Sequence, residues 1–243
     1  MAVMYKEQCF SVHTMHCDFQ DKIRPSAVLD FFQDMAGTHA DELGAGFEAV
    51  RSLGYIWVVL YEQFEVVSKT PSFGDSVLVK TWPKPRGRLE FEREYEICSA
   101  DGTPAIRGIS NWALVDIRRR TVARAEDVDF NGEYYDKTSY PQKQKRKLNL
   151  QPQGYDAEIC HTVVLSDLDH NLHLNNAKYL DIIYNMNTLE SYRPWKKVEI
   201  AFIREARLND KITVRHWKED ERDCYQGFVG DTPCFEAAVY PED

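Results

Sequence analysis

Two stretches of this chain carry apolar residues on more than one helical stripe. Val28, Leu29, Phe31, Phe32, Met35 and Ala36 form the first; Ala177, Tyr179, Leu180, Ile182, Ile183 and Met186 form the second. A surface helix needs only one apolar face, so each stretch predicts a helix covered by sheet. Segments rich in β-branched and aromatic residues follow each helix. They are 55–67, 76–82, 89–99 and 105–117 after the first, and 197–204, 211–218, 223–229 and 234–240 after the second. Gly74-Asp75, Asp101-Gly102, Asn209-Asp210 and Gly230-Asp231 punctuate them as turns. One helix with an antiparallel set of strands, twice over, is an α+β layout.

The two sets are copies of one unit. Residues 29–35 align with 180–186 at an offset of 151, residues 73–82 with 208–217 at 135, and Thr103-Pro104 with Thr232-Pro233 at 129. The shrinking offsets fit a second copy that has lost loop residues, and three matches in the same order favour duplication. Between the copies, 137–154 has no useful apolar period and holds Pro141, Pro152, Gly154 and the basic run Lys143-Gln144-Lys145-Arg146-Lys147. It reads as a linker, so the expected domains are 1–136 and 155–243.

Composition narrows the function classes. A net charge of −9 and a pI near 5.3 argue against non-specific nucleic-acid binding. Met1 to Phe10 lacks the apolar core of a signal peptide, and no run approaches a membrane span. Six cysteines without a CxxC pair fit reduced thiols, so the expectation is a soluble cytoplasmic protein. His13, His16 and Cys17 have no fourth ligand at zinc-like spacing, and no GxGxxG or P-loop occurs. No metal and no cofactor is therefore expected.

The candidate chemistry lies in 167–180. Asp169, Asn171 and His173 stand at alternate positions just before the second helical run. Alternate residues of an extended segment point the same way, so the three side chains are expected to converge. An acid, an amide and an imidazole beside a helix N-terminus suit a polarised carbonyl and an activated water. The first copy has Asp18 to Ser26 in that place, without the Asn-x-His motif, so one site in the second half is expected.

The duplicated unit and the run Asp-Leu-Asp-x-Asn-x-His-x-Asn-Asn-x-Lys-Tyr at 167–179 resemble the acyl-acyl carrier protein thioesterases, a double hotdog family. The resemblance implies a tandem hotdog fold, each half an antiparallel sheet wrapped around a long central helix. Ile203-Arg204-Glu205-Ala206 is similar to the segment where plant members have Arg-Glu-Cys. Ser110-Asn111-Trp112, ahead of Arg118-Arg119-Arg120, is similar to a strand of the family's first half. With no plastid transit segment, the chain resembles the bacterial branch. Carried over residue by residue, the resemblance implies Asp169, Asn171, His173 and Glu205 as catalytic. It puts Ala206 where a cysteine was once considered a nucleophile, which removes a thiolate route there.

The implied reaction is hydrolysis of fatty acyl-acyl carrier protein, releasing free fatty acid and ending chain elongation. An acyl-CoA thioesterase differs only in the thiol carrier. A non-catalytic acyl-binding hotdog module is the rival from another class, and it has no need of Asn171, His173 and Glu205. Two routes stay open at this level. Glu205 deprotonates water with His173 positioning it or relaying the proton, or Asp169 attacks the carbonyl and water resolves the anhydride. Asn171 and backbone N–H groups near Asn175 and Asn176 suit the oxyanion. The first half is expected to hold the fatty chain. The expected partner is acyl carrier protein, acidic as a class, which calls for a local basic surface. Arg118, Arg119, Arg120 and Arg124, or Lys143, Lys145, Arg146 and Lys147, supply candidates. A homodimer is compatible with this layout.

Overall fold

The computed structural model describes residues 3–140 and 148–242. The chain divides into two compact units, Met1–Lys143 and Gln144–Asp243. The first contains β1 (Val3–Met4), β2 (Lys6–Ser11), α1 (Pro25–Glu42), α2 (Phe47–Ser52), β3 (Tyr55–Val66), β4 (Ser76–Pro83), β5 (Phe91–Ser99), β6 (Pro104–Asp116) and β7 (Glu133–Tyr134). Its main sheet is antiparallel in the order β2-β4-β5-β6-β3, while β1 and β7 form a small parallel pair. The second contains β8 (Ala157–Thr162), α3 (Asn176–Tyr184), β9 (Trp195–Phe202), β10 (Lys211–Glu219), β11 (Arg222–Val229) and β12 (Thr232–Pro241). Its sheet repeats the pattern as β8-β10-β11-β12-β9.

α1 and α3 are each seated by aromatic rings and a glycine. Pro25 starts α1 with a preset φ, and the buried stripe that follows lays Phe32 flat on Tyr95 of β5, ring centroids 4.1 Å apart. A Cβ on Gly108 of β6 would come within 2.3 Å of the Phe32 ring, so only glycine admits this approach. In the second unit Tyr179 of α3 meets Phe235 and Phe202 edge-on at 5.1 and 5.5 Å. Gly227 gives way to Phe235 there, where a Cβ would stand 2.1 Å from the ring.

The duplication holds in three dimensions. α1 and α3 begin 151 residues apart and β4 and β10 begin 135 apart, the offsets read from the sequence. The helices differ in length, however, with 18 residues in α1 and 9 in α3. The apolar run predicts helix through Met186, but the chain tightens after Tyr184. The N–H groups of Met186 and Asn187 return to Ile183 and Tyr184, and the Asn187 side chain also donates to the Tyr184 carbonyl. Such local bonds compete with helix continuation. The short α2 has no counterpart in the expected elements.

The ends of the segment read as a linker are docked. The Lys137 carbonyl accepts from Trp82 and Lys84 at 3.1 and 2.7 Å, and Ser139 binds Glu94 and Glu96 through its N–H and hydroxyl. Leu148 and Leu150 pack against Trp217 and Cys224. Lys143, Lys145, Arg146 and Lys147, the basic run offered as a carrier surface, lie outside the described residues. No helix among the described residues is long and apolar enough to cross a membrane.

Candidate active site

Asp169 closes the loop that leads into α3. Its Oδ1 accepts the N–H groups of Asn171 and His173 at 2.8 and 3.0 Å, while its own N–H donates to the His173 carbonyl at 2.8 Å. This is a side-chain-closed turn. Leu172, at its tip, takes a left-handed φ of 62°. The alternation expected of 169, 171 and 173 needs a continuous extended run, and the left-handed residue breaks it. Asp169 thus commits one carboxylate oxygen to its own loop backbone.

His173 finds its partner across the chain. A bridge pairs it with Arg207 and sets His173 Nε2 3.1 Å from Glu205 Oε2. The other Glu205 oxygen receives the Arg207 guanidinium. The His173 and Glu205 side chains are 22% and 40% exposed, so the pair is open to an incoming substrate yet partly shielded from water. Between Glu205 and Arg207, Ala206 is fully buried. Its carbonyl accepts the Leu174 N–H at 2.8 Å. Burial pushes the pKa of the Tyr179 hydroxyl up, with Cys234, Asp169 and Glu205 adding to the rise.

The start of α3 is largely committed. Asn175 caps it, its side chain accepting from Ala177 at 2.8 Å and its carbonyl from Lys178 at 2.9 Å. The Asn175 N–H donates to the Asp167 carbonyl at 2.9 Å. That N–H, expected to serve an oxyanion, is thus occupied. The Asn171 amide and the positive end of α3 are what the loop can still offer a developing negative charge. Asp167 closes a turn of its own, accepting the Val164 N–H at 3.0 Å and pairing with His161 at 2.9 Å. The His161 contact was not foreseen, because only the fold brings the end of β8 beside the loop. No group of three or more His, Cys, Asp or Glu that could hold a metal occurs among the described residues.

The first unit contains the same loop with different side chains. Asp18 Oδ1 accepts from Gln20 and Lys22 at 2.8 and 3.0 Å, and Asp21 at the tip has φ 60°. Cys17 bridges Ile23 and Lys22 bridges Ser72, where the second unit has Leu168 with Leu174 and His173 with Arg207. Ile23 donates to the Pro71 carbonyl at 3.0 Å, as Leu174 does to that of Ala206. Gln20, Lys22, Thr70 and Pro71 thus stand where the second unit has Asn171, His173, Glu205 and Ala206.

Two family models match the chain. One, the acyl-ACP thioesterase N-terminal domain, matches residues 3–133; the other, the acyl-ACP thioesterase C-terminal domain, matches residues 152–230. Oleoyl-acyl carrier protein thioesterase 1 of Arabidopsis thaliana is 26% identical over 72% of this chain and 52% of its own length. A palmitoyl-acyl carrier protein thioesterase of the same plant is 30% identical over 71% of this chain and 45% of its own. The chain thus spans about half the length of the curated relatives it matches. Among solved structures, an acyl-ACP thioesterase from Bacteroides thetaiotaomicron superposes with a TM-score of 0.87 at 20% identity, covering 98% of each chain. A 12:0-ACP thioesterase from Umbellularia californica gives 0.80 at 19% identity, again over 98% of each. These likenesses establish the tandem hotdog fold.

Proposed function

This chain belongs to the acyl-ACP thioesterase family, and we propose that it hydrolyses the thioester joining a fatty acyl group to acyl carrier protein. The observation that carries the reading is the His173–Glu205 pair, 3.1 Å apart in the loop that alone of the two bears an imidazole. With Nε2 turned to Glu205, Nδ1 of His173 takes a proton from water, and the hydroxide attacks the carbonyl carbon. Glu205 stabilises the imidazolium, and Arg207 on its other oxygen fixes its orientation. The oxyanion is held by the Asn171 amide and the positive end of α3. As the tetrahedral intermediate collapses, the C–S bond breaks and the imidazolium proton passes to sulfur, leaving fatty acid and free thiol. Thiols have pKa values of roughly 8.5, so departure needs little acid assistance.

Asp169 serves this site as the loop's closure rather than as its nucleophile. Asp18 makes the same two backbone contacts in the unit that has no imidazole, so turn closure accounts for an aspartate at this place. The first unit, freed of chemistry, holds the acyl chain. Acyl carrier protein docks on a basic surface, for which the exposed Arg118, Arg119, Arg120 and Arg124 are the described candidates. Arg119 and Arg124 share their charge with Asp116 and Glu126, which leaves Arg118 and Arg120 as the first to reverse.

The test is thiol release from acyl carrier protein and CoA substrates over a series of chain lengths. The carrier-protein substrates should be cleaved with the higher kcat/KM. A preference for CoA would sink the carrier assignment, and no release from either would sink the enzymatic reading. Reversing Arg118 and Arg120 should raise KM for the carrier-protein substrate and spare a small thioester.

A further inference from the structure

Two helices cover the two ends of one face of the first sheet. At one end the Phe32 ring of α1 stacks on Tyr95, meets Phe64 edge-on at 6.1 Å and lies over Gly108. At the other, Ala45 and Val50, before and within α2, pack with Phe91 and Leu114. Across β3, β6 and β5 the register runs Phe64–Gly108–Tyr95, then Glu62–Ser110–Arg93, then Val59–Trp112–Phe91. Opposed residues share a face, as do alternate residues of one strand. Glu62, Ser110 and Arg93 thus make a polar row between the areas that the two helices cover. Ser110 is satisfied, 2.9 Å from the Tyr95 hydroxyl and accepting from the Trp112 indole at 2.6 Å. Arg93 lies 3.0 Å from His39 Nδ1 and donates to Thr81 at 3.2 Å. Glu62 is 1% exposed, and neither of its carboxyl oxygens has a hydrogen-bond partner among the described residues.

The fold itself does not ask for a carboxyl there. The second sheet puts Val198 and Val239 at the places of Glu62 and Ser110, and a buried polar group without a partner costs stability that a valine does not. We propose that Glu62 is the binding residue for a hydroxyl group on the acyl chain, which makes hydroxyacyl thioesters the substrate class. This rests on the reading that the first unit holds the chain. The charges around the row exclude the other choices. Asp30 adds a negative charge that opposes an anion, and Arg93 in the same row opposes a cation, which leaves a neutral group. Burial pushes the Glu62 pKa up to about 8, so at neutral pH the carboxyl has a proton to donate and an oxygen to accept with. A hydroxyl answers both at once, whereas a ketone oxygen only accepts. Trp112, half-buried beside Ser110, gives the neighbouring hydrocarbon an apolar wall. The hydroxyl lies far along the chain from the thioester, because the reacting carbonyl belongs to the loop of the other unit.

The test compares the wild-type full chain with Glu62→Val on carrier-protein thioesters of one chain length. The acyl groups are unsubstituted, hydroxylated on the β carbon, or given a hydroxyl or a ketone at successive carbons of the far half. In the wild type one far hydroxyl should raise kcat/KM by about tenfold or more over the unsubstituted chain, the scale of a buried hydrogen bond to substrate. The ketones and the β-hydroxyl should give no such gain. Glu62→Val, which installs the second unit's residue, should bring the ratio to one or below. A ratio that survives Glu62→Val overturns the inference, as does a fall on every substrate alike with a lower melting temperature. A wild type that favours a ketone, or no far hydroxyl, also overturns it. Should Glu62→Val fail to fold, Glu62→Leu takes its place. Calorimetric titration with the free hydroxy acid and its unsubstituted analogue separates the two readings. Thioesters left intact, beside a hydroxy acid bound about tenfold tighter by the wild type alone, sink the hydrolase reading and support the hydroxyl site. Turnover of the unsubstituted chain without any hydroxyl preference sinks only the hydroxyl site.

Discussion

The two sheets receive their helices on faces built from corresponding positions, yet they place their polar residues differently. Beneath α1 the first unit buries Glu62, Arg93, Tyr95 and Ser110, with His39 contributed by the helix itself. Arg93 lies 3.0 Å from His39 Nδ1 and donates to Thr81 at 3.2 Å, and Ser110 binds both Tyr95 and Trp112. In the second unit the strand register puts Val198 and Val239 where the first has Glu62 and Ser110. His216 and Asp223, 2.9 Å apart, stand where it has Thr81 and Arg93. The unit with a polar interior has a loop without an imidazole, and the unit with the acid–imidazole loop has the more apolar interior. Two copies of one fold can diverge this way because the main-chain contacts that define the loop and the sheet are indifferent to most side chains they carry.

The largest effect that would break this comparison lies in the loop. His173→Ala and Asn171→Ala should each slow hydrolysis by about 10²- to 10⁴-fold while the protein stays folded, as read from thiol release and a melting curve. Near wild-type rates in both would leave the two loops functionally equivalent.

Next in size is the aspartate that the loops share. Asp169→Ala and Asp18→Ala each strip an acceptor from two backbone N–H groups and should destabilise by similar amounts, on the order of 1–3 kcal/mol. Only Asp169→Ala should also lower kcat. Asp169→Asn keeps an oxygen for both N–H groups and should stay within about tenfold of wild type, whereas a nucleophilic carboxylate could not survive the change. Loss of all activity in Asp169→Asn would restore the covalent route.

The interior contrast is open to a pH titration. Burial, with the negative charge of Asp30 nearby, pushes the Glu62 pKa up to about 8. A carboxyl whose folded pKa lies above its unfolded value of 4.5 holds more protons in the native state. Its contribution to stability therefore declines as pH rises from the unfolded value to about 8, at about 1.4 kcal/mol per unit before relaxation reduces it. His39 acts in the opposite sense. Burial and Arg93 push its pKa down to about 3, so its contribution declines as pH falls below the unfolded value of 6.5. Glu62→Gln should accordingly melt higher than wild type at pH 8 and lose that advantage near pH 4–5. A difference that does not vary with pH would mean Glu62 is solvated.

The smallest effect is expected at Ala206. Ala206→Cys places a thiol at a fully buried position that the proposed route does not use. Activity should stay within about threefold, and iodoacetamide should not inactivate the variant. Inactivation by the reagent would show the position to be open to substrate.

Much of this protein was legible along the chain. Strand and helix periods and turn dipeptides arise from local geometry and repeat with it, so the duplicated unit could be read segment by segment, at offsets that shrink along the chain. His173 could be singled out because the first copy has Lys22 in its place. Other properties belonged to the tertiary structure. The turn closed by Asp169 depends on a left-handed Leu172, a backbone state that a leucine does not announce. The early stop of α3 depends on Asn187 reaching back to Tyr184. The docking of 137–140 and 148–150 depends on sheet residues more than 40 positions away. The meeting of His173 with Glu205 needs a bridge across 34 residues of chain. A side chain's chemistry is written in its type, but the direction of its lone pairs and protons is set by the backbone and neighbours that folding brings to it.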